Sequence, residues 1–145
     1  MTASAIPGVK NGLLAAFEAA AGLDDVALAV GIVAPRRSEM VEIFDAVADR
    51  EYGSLGRVVN YDEQVSVDVI VTVVRASGND LTAPEERMWE LVDVVQRAFW
   101  EDITLDGVWR FGRVSRVKQE YWREGKGRGS RARITFEGTA RITNE

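Results

Sequence analysis

Five valines at every second position constrain this chain more than any other feature. Val65, Val67, Val69, Val71 and Val73 fall on one face of an extended strand, and Ser66, Asp68, Ile70, Thr72 and Val74 fall on the other. The second face turns apolar from Ile70 onward, which predicts cover on both sides of the strand's later half. The cluster Ala76-Ser77-Gly78-Asn79-Asp80 ends the strand as a turn, and a capped helix follows. This strand–turn–helix is the expected centre of a small α+β domain, with everything else packing on it. The 145 residues, 46% hydrophobic, suit a single domain over 1–145 with a core of ordinary size.

The composition also excludes chemistry. The chain has no Cys and no His. Disulfides, thiolate nucleophiles and Cys-type zinc sites are therefore ruled out, as are imidazole bases and ligands. Carboxylate chemistry and hard-cation binding remain open, through Asp24, Asp25, Asp45, Asp49, Asp62, Glu63 and Asp68. Their spacing specifies nothing, and solvated surface is the expectation for them. No catalytic residue, metal or cofactor is expected, so the reading is not of an enzyme. No apolar run is long enough to span a bilayer and no signal-peptide pattern is present, which predicts a soluble protein made in the cytoplasm.

Charge is segregated along the chain. Residues 108–145 hold ten Lys/Arg against four acids, a net +6, and residues 1–107 hold eight against nineteen, a net −11. Such a chain suits head-to-tail self-association, one copy's basic surface meeting its neighbour's acidic one. The plainer alternative is two strands showing Arg and Lys to solvent.

Taken in order, Ile6-Pro7-Gly8 reads as a turn. A first helix is expected from an Asn11 cap to about Ala21, with Gly22 as its stop and Leu13, Leu14, Phe17 and Ala21 on the buried side. Its remaining alanines allow close approach of another helix. Val26–Val33 reads as a strand. Between 39 and 49, Met40, Ile43, Phe44 and Val47 stand at helical spacing, while Met40–Phe44 also fits a short strand; the residues leave both open. The loop Tyr52–Arg57 carries two glycines and is placed to reach a partner. Thr82-Ala83-Pro84-Glu85 is a capping box with proline in the first turn. It opens a helix to about Trp100 whose buried stripe is Met88, Leu91, Val92, Val95 and Phe99. Asp102–Gly107 is a connector. Val108–Arg113 and Ser115–Trp122 read as strand segments, and Arg131–Ile142 alternates as a half-exposed strand, forming with Ser115–Trp122 a hairpin tipped by Gly125–Ser130.

Gly125-Lys126-Gly127-Arg128-Gly129-Ser130 lacks the spacing of a phosphate-binding P-loop and joins two strands rather than opening a helix. Lys126, Arg128, Arg131 and Arg133 lie near Tyr121 and Trp122, a composition that also suits nucleic acid, but the acidic whole opposes strong duplex binding. The expected contact residues are Trp122, Arg123, Lys126, Arg128 and Arg131 around the hairpin, and Tyr52, Leu55 and Arg57 in the earlier loop. Trp122, on the more charged strand face, is the preferred aromatic anchor.

The order of elements carries a resemblance. Glu39-Met40-Val41, Asp49-Arg50-Glu51-Tyr52 and Leu55-Gly56-Arg57 lead into Glu63 and the valine strand. Next come the helix with Glu85-Glu86-Arg87 and Trp89, the connector Asp102-Ile103-Thr104-Leu105-Asp106-Gly107, and a strand closing on Ala140-Arg141-Ile142. Over roughly residues 39–142 this resembles the tail terminator (tail completion) proteins of long-tailed bacteriophages of the siphophage type. The resemblance implies an α+β fold with a mainly antiparallel sheet and two helices packed on one face, and it favours a strand at 39–49. It implies a homohexameric ring in the virion, at the head–tail junction, after assembly in the host cytoplasm. It also implies contact with the tail tube protein and a head-side connector or neck protein. DNA would pass through the lumen without sequence recognition, and no membrane would be involved. Other connector or tube-like proteins of the same viruses are the nearest alternative. A small-ligand-binding or enzymatic α+β domain, with a pocket between helix 83–100 and the sheet, is the alternative of a different class.

Overall fold

The computed structural model describes residues 4–31, 38–52, 59–75, 82–124 and 127–144; the side chains at 52, 59, 82–83, 122–124, 127–128 and 143–144 lie outside that description. The elements are α1 (Ile6–Glu18), β1 (Ala27–Val30), β2 (Glu39–Tyr52), β3 (Val59–Arg75), α2 (Thr82–Trp100), β4 (Arg110–Glu124) and β5 (Gly127–Asn144). The strands form one sheet in the order β1-β2-β3-β5-β4. Every pairing is antiparallel except β1 with β2. The fold is α+β as expected, with β3 in the middle of the sheet.

All five alternating valines of β3 are fully buried. They face α1 and α2, together with Val41 and Ile43 of β2 and Ala132, Ile134 and Phe136 of β5. Burying a valine contributes about 1.5–3 kcal/mol, so this face alone demands a roof. The expected stripe of α2 is buried throughout, and Glu86, Glu90, Asp93 and Arg97 face solvent. On the other sheet face Thr72 is buried while Ile70 and Val74 are half-buried, so cover of the strand's later half is partial.

α1 begins five residues before the expected cap. Asn11 is exposed in mid-helix, and Ile6-Pro7-Gly8 is its first turn rather than a separate one. The acceptor for the helix start comes from the sheet instead. Glu63 of β3, with no exposed surface, accepts from the Ala5 N–H and the Ser4 hydroxyl, both at 2.7 Å, and Ser4 Oγ accepts from Ile6 N–H. Pro7 sits where a backbone donor would have no intrahelical partner. The chain leaves the helix at Ala19 and passes through a 3-10 turn at Ala21–Leu23, where Gly22 allows Val94 of α2 to come close. β1 is shorter than the expected Val26–Val33 strand, and residues 32–37 lie outside the description.

Residues 39–49 are a strand, and of the helically spaced set only Ile43 joins the core cluster, while Met40 is buried outside it and Val47 is exposed. The register with β3 shifts between Ile43 and Ala46. This bulge moves the alternation by one, so that Val41 and Ile43 before it and Ala46 and Ala48 after it all face the core. Likewise the expected segments Val108–Arg113 and Ser115–Trp122 are one strand from Arg110 with two irregularities, and Val108 and Trp109 precede it.

The connector to β4 is built on Asp102 and Thr104. Thr104 Oγ1 donates to Asp102, and Asp102 Oδ2 accepts from Asp106 N–H at 2.7 Å. Leu105, Asp106 and Gly107 all take positive φ, which lets Leu105 turn back against Gly12 of α1. Trp109 follows, fully buried, its Nε1–H donating to Ile103 O at 2.8 Å and its ring edge-on to Phe99. Gly112 and Gly138 clear space for the indole: a Cβ at Gly138 would stand 2.3 Å from Trp109 Cδ2. Gly138→Ala is therefore expected to destabilise the protein by about 1–3 kcal/mol; chemical denaturation followed by tryptophan fluorescence checks this.

Candidate assembly interface

The antiparallel ladder fixes which residues share an end of the sheet. Tyr52, Val59, Asn144 and Arg110 lie toward one end, because Tyr52 pairs with Tyr61, Val59 with Asn144 and Arg110 with Thr139. Glu39, Arg75, Gly127 and Glu124 lie toward the other, because Glu39 pairs with Val73, Arg75 with Arg128 and Glu124 with Gly127. The sheet is roughly 50 Å long, from the 15 residues of β4 at about 3.3 Å each.

The sequence-predicted contact residues divide between these ends. Trp122, Arg123 and Arg128 belong to the hairpin end, with Trp122 opposite Gly129 and Arg123 opposite Arg128. Tyr52 closes β2 at the opposite end. Leu55, Arg57 and Lys126 lie outside the described residues, as does the turn at 76–80. The expected six-residue tip is shorter than predicted. Gly127–Ser130 are strand, all paired with β4 and, from Arg128 on, also with β3, so only two residues join Glu124 to Gly127.

Arg131 is held within the chain. Its guanidinium meets Glu120 across the β4–β5 pair, Nη2 at 2.7 Å and Nε at 2.9 Å from Oε2. This hydrogen bond holds the Glu120 carboxyl below its usual range. Arg133 pairs with Asp68 at 2.8 Å, and Arg141 Nε stands 3.5 Å from Asp62. The basic stretch read from sequence is thus partly neutralised by acids of β3 and β4. The carboxylates expected on solvated surface also split: Asp24, Asp25, Asp45 and Asp49 are exposed, Asp68 is half-buried in its pairs, and Glu63 is buried under α1. No group of three or more acids among the described residues is arranged to hold a metal.

Where α2 meets the sheet, Met88, Leu91, Val92, Val95 and Phe99 fill the space. Two hollows among the described residues lie elsewhere. One of about 230 Å³ lies between the end of α1 and α2, lined by Ala16, Ala20, Val94 and Ala98 among others; one of about 360 Å³ opens beside Asp49, Glu51, Asp62 and Thr139. Sequence reasoning missed two exposed aromatics. Phe111 is 83% exposed at φ 53°, a strained backbone for a bulky residue, and Tyr121 is 66% exposed with its hydroxyl donating to Glu85. Trp89 and Trp100 are also exposed. No helix among the described residues is long and apolar enough to cross a membrane.

No family model matches this sequence, and neither does any curated protein. Among solved structures, a chain of one described as the "Virion of native gene transfer agent (GTA) particle" aligns with 97% of this chain and 100% of its own. Its identity is 12% and its TM-score 0.46. A likeness at that level carries no argument about function.

The hairpin end is also where α2 is pinned. Arg87 donates two hydrogen bonds to Glu39, at 3.0 and 3.1 Å, and Arg75 adds a third at 3.3 Å. The Arg87 hydrogen bond is the main reason the Glu39 carboxyl titrates below its usual range. A carboxyl depressed on folding stabilises the fold above its unfolded pKa and loses that contribution as pH falls through the folded value. Glu39→Gln should cost about 1–2 kcal/mol at pH 7, with a smaller penalty below the ordinary carboxylate range. Urea denaturation at pH 7 and pH 3 measures both.

Proposed function

We propose that this chain is a tail terminator of a long-tailed phage. In this reading it closes into a ring, a hexamer by resemblance, on the last ring of the tail tube and stops tube growth. It then offers its other surface to a head-side connector, with DNA passing through the lumen unread. It acts in the virion at the head–tail junction, after assembly in the host cytoplasm, and does no chemistry.

The observation that carries this reading is the separation of the candidate contact positions. The Arg123–Arg128 hairpin and the Tyr52 end of β2 stand at opposite ends of one long sheet. A protein that joins two different assemblies needs two surfaces facing apart on a rigid body, and a five-stranded sheet roofed on one side supplies that body. The element order quoted above supports the family. The Asp102–Gly107 connector supports it further, because its side-chain turn and run of positive φ give that motif a structural purpose.

The test uses the purified protein with polymerising tail tube protein. The parent chain is expected to arrest tube growth and to leave tubes that join heads. Deleting Gly125–Gly129 would remove three ladder positions, so substitution is the cleaner probe. Arg123→Glu with Lys126→Glu and Arg128→Glu is expected to fold, by circular dichroism, and to leave tubes overgrown in electron micrographs. A parent chain that changes neither tube length nor head joining would overturn the assignment.

A further inference from the structure

The two edges of the sheet are complementary at matching heights. Among the described residues β1 pairs only with Met40–Ile43, and no described strand pairs with the outer side of the rest of β2, Phe44–Tyr52. β4 is the opposite edge and pairs only with β5. From the ladder, Arg110 lies in one row with Thr139, Gln64 and Asp49, and Arg113 in one row with Glu137, Ser66 and Val47. Arg116 shares its row with Thr135 and Asp68, which reaches β2 at its bulge, beside Asp45. Because β2, β3, β5 and β4 alternate in direction, β4 set beside the β2 of another copy would run antiparallel to it.

Chemistry at the two edges matches this geometry. Arg110, Phe111, Arg113, Arg116 and Lys118 are exposed along β4; Asp45, Val47, Asp49 and Glu51 are exposed along β2. Asp45, Asp49 and Glu51 have no ion-pair partner among the described residues. Like charge opposes β4 meeting β4 and β2 meeting β2, and favours β4 meeting β2. Phe111, exposed beside buried Gly112, adds an apolar surface on the basic edge, and Val47 adds one on the acidic edge.

We propose that the subunit seam is this edge contact, with the Arg110–Lys118 stretch of one copy alongside the Asp45–Glu51 stretch of the next. It rests on the ring-forming part of the function proposed above. The seam is heterologous, so each copy uses both edges and the contact repeats around a closed assembly.

Charge exchange tests it. Arg110→Glu/Arg116→Glu reverses the basic edge, and Asp45→Lys/Asp49→Lys reverses the acidic one at the matching rows. Native mass spectrometry and sedimentation at low salt should show each folded variant associating at least about tenfold more weakly than the parent. An equimolar mixture should regain the parent's assembly by alternating the two variants, and high salt should weaken the parent. If the basic-edge variant fails to fold, the acidic-edge variant and the salt series still decide. A parent that stays monomeric at low salt, a folded variant that associates like the parent, or a mixture that does not recover would overturn the seam. Tube arrest separates the two readings. A parent that assembles through the seam but leaves tube growth unchanged keeps the seam and removes the terminator assignment. Edge variants that still arrest tubes do the reverse.

Discussion

A face of five buried valines on the central strand is the constraint from which the rest of this molecule follows. A strand cannot bury such a face alone, and a sheet offers it only one direction in which to be covered. Both helices therefore lie on that side, and each brings its own apolar stripe, Val9, Leu13 and Phe17 from α1 and Met88 to Phe99 from α2. The aromatic cluster of Phe17, Phe99, Phe136 and Trp109 closes the end of the core where the connector returns the chain to the sheet. The opposite face is mixed, with Met40 and Thr72 buried, Ile70 and Val74 half-buried, and Asp68 and Arg133 paired across it.

Hydrophobic cover is non-directional, so something else must fix where each helix starts. Two glutamates of the sheet do so at opposite ends. Glu63 on β3 receives the first turn of α1 and is itself met by Arg50 at 3.2 Å. Glu39 at the start of β2 receives Arg87, early in α2, and Arg75 at the end of β3. A carboxylate withdrawn from water is costly unless its oxygens are satisfied; a strand arginine meets each one, and the set of partners is complete only when the helices are seated. These contacts select one placement among the many that the apolar faces alone would tolerate.

Local signals account for what the sequence revealed. The valine alternation, the Thr82–Glu85 capping box and the 131–142 alternation act over a few residues, and each element formed where expected. What was not legible depended on partners distant in the chain. Asn11 is a better cap than Ala5 by its own chemistry, yet Glu63, 58 residues away from Ala5, decides the helix start. The bulge at Ile43–Ala46 was not legible either, because it breaks the period-two pattern partway along β2 and puts the core positions at Val41, Ile43, Ala46 and Ala48. Of the candidate site, the hairpin's basic character was visible, but not that Arg131 is engaged by Glu120 or that Phe111 stands outward.

That redistribution changes what the charge pattern means. Counted along the chain, the basic segment spans everything after residue 108, and β5 supplies much of it. Folded, Arg131, Arg133 and Arg141 of β5 face acids of neighbouring strands and act as cross-strand ties within one copy. Arg110 and Arg113 also touch acids, but they stand on the outer strand with more than half of their side-chain surface exposed. Exposed positive charge thereby stands along the β4 edge, and Asp45, Asp49 and Glu51 stand exposed along the β2 edge across the sheet. A charged edge strand usually serves to refuse pairing. When the two edges of one sheet carry opposite signs, the same device refuses the wrong neighbour and admits the right one, and directionality of assembly becomes a property of the fold itself.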